Sequence, residues 1–212
     1  MASVIRLTFN PFQENTYIVY DASGECIIFD PGCHDQSEKE ELSRVIEERN
    51  LRPVRLINTH CHLDHVFGNR YVADTYGLSL EIHPLEQAVL DAVPQVCMLY
   101  GLPPAEPSPT PARYIEAGET LFFGESRLQT LLCPGHSPGS LCFYEQQEGF
   151  IIAGDVLFYG SIGRTDLPGG NHDALIASIR RELMPLPDPV RVYPGHGPAT
   201  TIGFERMNNP FL

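Results

Sequence analysis

The sequence predicts an α+β protein in which two packed sheets lie between outer layers of helix. Apolar runs of four to six residues recur in both halves of the chain, bounded by Gly, Pro or Asp, as buried strands are. Longer segments with apolar positions at helical spacing fall between them. The second half repeats the logic of the first, so strands gather into two groups with helices left to cover the outside.

Val4–Phe9 and Thr16–Tyr20 are the opening strands, and Glu25–Phe29 is a third, stopped by Asp30-Pro31-Gly32. Ser37–Arg49 has acidic residues early, Arg later and Leu42, Val45 and Ile46 on one face, which reads as an amphipathic helix. Val54–Asn58 is a buried strand, Val66–Tyr76 a helix ended by Gly77, and Leu78–Ile82 the next strand. Pro84–Val93 reads as helix. Leu102–Pro111 carries five prolines in ten residues, so residues 94–113 read as a stiff loop, either overhanging a site or simply connecting. Glu119–Phe123, Leu128–Cys133, Leu141–Tyr144 and Phe150–Ala153 are strands. Asp173–Met184 is a helix ended by Pro185, and Val190–Tyr193 is the last strand.

With 212 residues and 42% hydrophobic content, the chain suits one compact domain spanning 1–212. The net charge of −13, with no basic stripe, argues against nucleic acid, whose phosphates need Lys and Arg. No secretory leader and no membrane-length apolar run is apparent. The six cysteines are scattered without a CxxC pair, which points to reduced thiols in a cytoplasm. A small-molecule substrate is the partner that remains.

The densest chemistry is Thr59-His60-Cys61-His62-Leu63-Asp64-His65. Three imidazoles and a carboxylate in one short run are metal-ligand types. In extended chain His60 and His62 point the same way. Asp64 and His65 would diverge in a strand, but can face a second ion if a helix starts near Val66. Cys61 should point away and pack. Three further candidates stand beside Gly or Pro after apolar runs: His136 in Pro134-Gly135-His136, Asp155 in Gly154-Asp155, and His196 in Pro194-Gly195-His196-Gly197. His34, His83 and His172 lie outside such frames and read as structural.

These motifs, with Phe29-Asp30-Pro31-Gly32, are similar in order and spacing to the metallo-β-lactamase superfamily. Gly154-Asp155-Val156-Leu157-Phe158 followed by Ser161–Gly170 resembles its short glyoxalase-II-like (hydroxyacylglutathione-hydrolase-like) branch. The resemblance implies a four-layer αββα sandwich and two divalent cations, zinc foremost, with iron or manganese as alternatives. It implies His60, His62 and His136 around the first ion, Asp64, His65 and His196 around the second, and Asp155 bridging them. Asp30 would position the His60–His65 loop. Asp64 and Asp155, with a metal-bridging hydroxide, would be the catalytic groups.

A thioester such as S-lactoylglutathione suits this chemistry, because a thiolate with a solution pKa of about 8.5 leaves without a strong protein acid. Arg164 is the candidate substrate contact. Glyoxalase II has Gly-Lys-Phe-Tyr where this chain has Gly163-Arg164-Thr165-Asp166, so the positive charge is kept and the Tyr is not. That enzyme's C-terminal glutathione-binding helical domain has no counterpart expected here.

The main alternative is a persulfide dioxygenase, which shares the fold and a Gly-Arg-Thr-Asp stretch but uses one iron held by two His and one Asp. A lactonase or a non-catalytic metal-binding module ranks lower. A class B β-lactamase is disfavoured because Asp155 stands where a Cys commonly occurs in that family. A flavodiiron-type role is disfavoured because that branch has Glu where His62 sits.

Overall fold

The computed structural model describes residues 1–103 and 105–212; of the Pro-rich stretch, Pro104 lies outside the described residues. Among the described residues, fourteen strands and six α-helices follow one another. β1 (Ser3–Phe9), β2 (Glu14–Tyr20), β3 (Glu25–Phe29), β4 (Arg52–Ile57), β5 (Leu80–Ile82) and β6 (Arg113–Tyr114) form one six-stranded sheet in that order. Its first three strands are antiparallel and the rest add in parallel. The second sheet has the order β14-β13-β10-β9-β8-β7. It uses β7 (Thr120–Phe123), β8 (Ser126–Leu132), β9 (Leu141–Glu145), β10 (Phe150–Gly154), β13 (Arg191–Pro194) and β14 (Thr200–Thr201). A small hairpin, β11 (Leu157–Phe158) with β12 (Ser161–Ile162), stands apart.

The alternation of side chains along each strand divides the apolar residues into three buried layers. Cys26 and Ile28 of β3 pack with Leu42 and Ile46 of α1 (Gln36–Glu48), on the outer face of the first sheet. Ile27 and Phe29 of the same strand turn inward and meet Leu141, Phe143, Phe150 and Ile152 of the second sheet. Phe29 and Phe143 touch across this seam with ring centroids 4.8 Å apart. Cys142, Tyr144, Ile151 and Ala153 face outward again onto Leu175 of α5 (His172–Ser178) and Ile202 of α6 (Ile202–Asn208). Three apolar layers require four layers of backbone, so the expected αββα sandwich is present. Among the described residues no helix is long and apolar enough to cross a membrane.

Several boundaries differ from the sequence reading. The single helix expected over Val66–Tyr76 is two, α2 (Leu63–Val66) and α3 (Asn69–Tyr76). The break falls at Gly68, where an added Cβ would lie 2.4 Å from Cys33 Sγ and 2.7 Å from Pro31 O. The helix expected to stop at Val93 is a 3₁₀ turn, Pro84–Glu86, followed by α4 (Gln87–Leu99), which runs straight through Pro94. Pro94 forfeits one intrahelical bond, but Leu90, Val93 and Cys97 on one face are held in the first core. The helix therefore ends at Leu99, and the next strand is β6. The helix expected over Asp173–Met184 changes to a π turn at Ile179–Leu183.

Candidate metal centre

The loops that follow β3, β4, β8, β10 and β13 converge at one end of the sandwich, which is why residues far apart in sequence meet there. β3 ends at Phe29 and Asp30 adopts a left-handed backbone, φ 47°. That twist aims its carboxylate at the next loop: Oδ1 accepts from Thr59 N–H at 2.6 Å, and Oδ2 from the Thr59 hydroxyl at 2.6 Å and His65 Nδ1 at 3.1 Å. Asn58 donates to the His65 carbonyl at 3.0 Å, tightening the same turn. α2 begins at Leu63, three residues earlier than the sequence suggested, so Asp64 and His65 both stand on a helix.

His60, His62 and His136 form one group of convergent ligand atoms, and Asp64, His65 and His196 a second. Asp30 also falls with His60 and His65 in a third overlapping group. His62 Nδ1 lies 2.8 Å from His136 Nε2, which is 3.3 Å from His60 Nε2. In the second group His196 Nε2 is 3.1 Å from Asp64 Oδ2, and His65 Nε2 is 3.8 Å from the same oxygen. Asp155 sits between the groups. Its Oδ2 is 3.5 Å from His136 Nε2 and 3.6 Å from His196 Nε2, while Oδ1 is 3.6 Å from His65 Nε2.

Four of the five imidazoles have their other ring nitrogen committed. His60 Nδ1 meets the Thr59 hydroxyl at 3.1 Å, His65 Nδ1 meets Asp30, His136 Nδ1 meets the Arg164 carbonyl at 2.7 Å, and His196 Nδ1 meets the Phe12 carbonyl at 3.1 Å. Each acceptor holds a proton on Nδ1 and leaves Nε2 as a bare lone pair facing the centre, the arrangement that orients metal-bound histidines.

Charge within the centre follows from burial. Desolvation, then the neighbouring histidines, push His60 well below the ordinary imidazole pKa and His62 down to about 3. Burial also opposes charge on His65, but the Asp64 and Asp155 carboxylates outweigh it and hold its pKa well above the usual value. Asp155 is likewise desolvated, yet His65 keeps it ionised well below the carboxylate range.

The donor set fits divalent cations. Unprotonated imidazole nitrogens about 3 Å apart repel unless a cation or proton lies between them, and buried His65 Nε2 and Asp155 Oδ1 have no hydrogen-bond partner. Gly195 preserves the space: a Cβ there would be 2.1 Å from Asp155 Oδ1 and 2.8 Å from His65 Cε1. The two groups, joined by Asp155, are consistent with a binuclear metal site of N and O ligands.

All seven expected ligands are therefore brought together, and Asp30 lies directly behind them. Cys61 is buried in the first core and belongs to none of the ligand groups. Arg164, the candidate substrate contact, lies beside His136. Its side chain is 57% exposed and forks onto Asp166 at 2.7 and 2.8 Å, so its backbone carbonyl, not its guanidinium, touches the centre. His34 stacks on Phe67, His83 caps the 3₁₀ turn and His172 opens α5, all outside the centre. His196 is partly exposed, its ring 6.3 Å from that of Phe158, and Phe12, whose carbonyl meets His196 Nδ1, packs edge-on against Tyr100 at 6.0 Å.

Two buried acids were not singled out from sequence. Glu14 has one oxygen bonded to Thr16 and the other unpartnered 3.9 Å from His65 Nδ1, and its burial raises its pKa well above normal. Glu86 accepts from Cys61 N–H, Ser137 and Gly139 N–H. Neither belongs to a ligand motif: Glu14 stands among Gln13, Asn15 and Thr16, and Glu86 between Leu85 and Gln87.

The family model of the metallo-beta-lactamase superfamily matches residues 9–196. Hydroxyacylglutathione hydrolase GloC of Haemophilus influenzae is 36% identical over 95% of this chain and 93% of its own length. The solved structure of TTHA1623 in a di-iron-bound form is 39% identical with a TM-score of 0.89, covering 99% of this chain and 100% of that one. BLEG-1, a B3 metallo-beta-lactamase, is 37% identical with a TM-score of 0.90, covering 100% and 99%. From the convergence of these ligand groups and the match along nearly its whole length, the chain belongs to the metallo-beta-lactamase superfamily.

Proposed function

We propose that the protein is a binuclear metal-dependent thioesterase of the glyoxalase-II type, acting on S-lactoylglutathione or a related small acyl thioester. The observation that carries this reading is the pair of ligand groups joined by Asp155. His60, His62 and His136 would hold one ion, and Asp64, His65 and His196 the other, with Asp155 reaching both. Zinc leads, and the di-iron form of TTHA1623 keeps iron in view. Bound there, two cations supply Lewis-acid polarisation of a carbonyl and a water whose pKa falls toward neutrality.

The chain's own residues do the rest. Asp30, Thr59 and the Phe12 and Arg164 carbonyls fix the imidazoles before substrate arrives, so no reorganisation is needed during reaction. Asp64 Oδ2 and Asp155 Oδ2, 3.1 and 3.6 Å from His196 Nε2, would be the carboxylate oxygens placed to accept a proton from that water. Phe12, Tyr100 and Phe158 present an apolar rim to the acyl or thiol part. A thiolate departs without a protein acid, since its pKa is about 8.5. The similarity to GloC supports a glutathione thioester among the candidates.

Thiol release from S-lactoylglutathione and a series of smaller acyl thioesters, with zinc-, iron- and manganese-loaded protein, tests the proposal. Absence of release from every thioester contradicts it. Asp155→Ala should abolish turnover and leave folding largely intact.

The likeness to BLEG-1 favours a second reading, hydrolysis of a β-lactam amide by the same centre. An amide needs its leaving nitrogen protonated, and among the described residues the acids at the centre are the expected ligands themselves, so thioesters should be turned over faster than nitrocefin. The persulfide dioxygenase alternative needs one iron per chain and oxygen uptake, whereas two complete ligand groups favour the hydrolase.

A further inference from the structure

We propose that Glu86 is a positioning residue that sets the spacing of the three-histidine site by clamping the two loops that supply it. The inference rests on the reading of His60, His62 and His136 as metal ligands.

Glu86 ends the 3₁₀ turn before α4 and is fully buried. Three donors from two separate loops point at its one carboxylate. Oε2 accepts from Cys61 N–H at 2.7 Å. Oε1 accepts from the Ser137 hydroxyl at 2.5 Å and from Gly139 N–H at 2.7 Å. Cys61 is the residue between His60 and His62, and Ser137 follows His136. The two loops are 76 residues apart at their histidines, yet the nitrogens they carry stand 3.3 Å from one another.

Among the described residues Glu86 is hydrogen-bonded to no Lys, Arg or His side chain. A buried carboxylate without a cation is costly, and an apolar residue of the same size would fill the space. Such a residue would leave Cys61 N–H and Gly139 N–H without partners at the moment the loops must hold still. The loop after His136 is also pressed onto the turn: a Cβ at Gly139 would lie 2.7 Å from His83 Nδ1 and 3.0 Å from Glu86 Cγ. Glu86 thus does for the three-histidine site what Asp30 does for His65. Unlike Asp30, it is hydrogen-bonded to no ligand ring among the described residues and acts through the loops it holds.

The test is titration of metal-free protein with cobalt(II) alone. Wild type should bind two ions. In Glu86→Gln the amide keeps one acceptor oxygen, so either Cys61 N–H or Gly139 N–H loses its partner. One ion should then bind as in wild type and the other about 10–100-fold more weakly. Adding His196→Ala should remove the remaining tight ion. Leu42→Ala, a core change on α1, which supplies none of the ligand groups, is the stability control and should still bind two ions tightly. Ser137→Ala, which removes a single donor, should weaken the same site by a smaller factor, and carries the test if Glu86→Gln does not fold. Unchanged binding in Glu86→Gln, or in Ser137→Ala where that variant stands in, overturns the proposal. So does a loss shared equally by both sites or matched by Leu42→Ala. A wild type that binds no cobalt instead removes the metal reading itself, and this proposal with it.

Discussion

Replacing Asp30 separates what holds the fold from what readies the centre. Its carboxylate has three close donors: Thr59 N–H, the Thr59 hydroxyl and His65 Nδ1. In Asp30→Ala the Thr59 N–H and the His65 N–H are left buried without acceptors, at about 1–3 kcal/mol each. Ala at a left-handed φ of 47° adds about 1–2 kcal/mol. The sum, about 3–8 kcal/mol, rivals the whole stability of a typical domain, about 5–15 kcal/mol, so that variant should be largely unfolded. Asp30→Asn is the informative change. Asn tolerates the left-handed backbone, and its oxygen can still accept from Thr59 N–H. Its amide then faces His65 Nδ1, which must give up its proton and place it on Nε2, the nitrogen turned toward Asp64 and Asp155. Stability should fall by about 1–2 kcal/mol, read by urea unfolding of metal-free protein. Affinity for the ion shared by Asp64, His65 and His196 should fall about 10–100-fold, read by competition with a chromophoric chelator. Wild-type affinity in Asp30→Asn would refute the tautomer argument.

Three other outcomes follow from the same geometry. Gly195→Ala should fold but bind less than two ions by metal analysis, because its Cβ would stand 2.1 Å from Asp155 Oδ1. Phe143→Ala, which empties the seam against Phe29, should lower the unfolding free energy by about 3–5 kcal/mol in urea. Asp21 tests the pH dependence. Burial opposes its charge, but bonds from Ser23, Ser126 and Glu125 N–H win and lower its pKa below 3.8. The stabilisation is therefore present above about pH 4 and lost as pH falls through the lowered folded value. Asp21→Asn should cost about 1–3 kcal/mol at pH 6 and progressively less at pH 3, by urea unfolding at each pH.

The ligand set was legible in the sequence because metal ligands must be particular residue types at sheet edges, and the chain displays them beside Gly and Pro. The layers were legible because buried strands such as Glu25–Phe29 and Phe150–Gly154 are apolar on both faces. Helix boundaries were less so. The break at Gly68 depends on Cys33 and Pro31 pressing from another loop, and the passage of α4 through Pro94 depends on core contacts of Leu90, Val93 and Cys97. No local pattern encodes either. β6, the β11–β12 hairpin, β14 and α6 are too short to announce themselves. Glu14 and Glu86 escaped notice because a lone acid outside any motif has no spacing to read, and its meaning appears only when distant loops close around it. Arg164 shows the converse: its charge is legible as a candidate substrate contact, while the bond between His136 Nδ1 and its backbone carbonyl has no signal in the sequence.

The central claim is that two ligand groups, sharing Asp155, each take one cation. Anomalous diffraction from crystals grown with zinc tests it most directly. The account predicts two peaks per chain, one among His60, His62 and His136 and one among Asp64, His65 and His196. A single peak, or peaks away from Asp155, would contradict it.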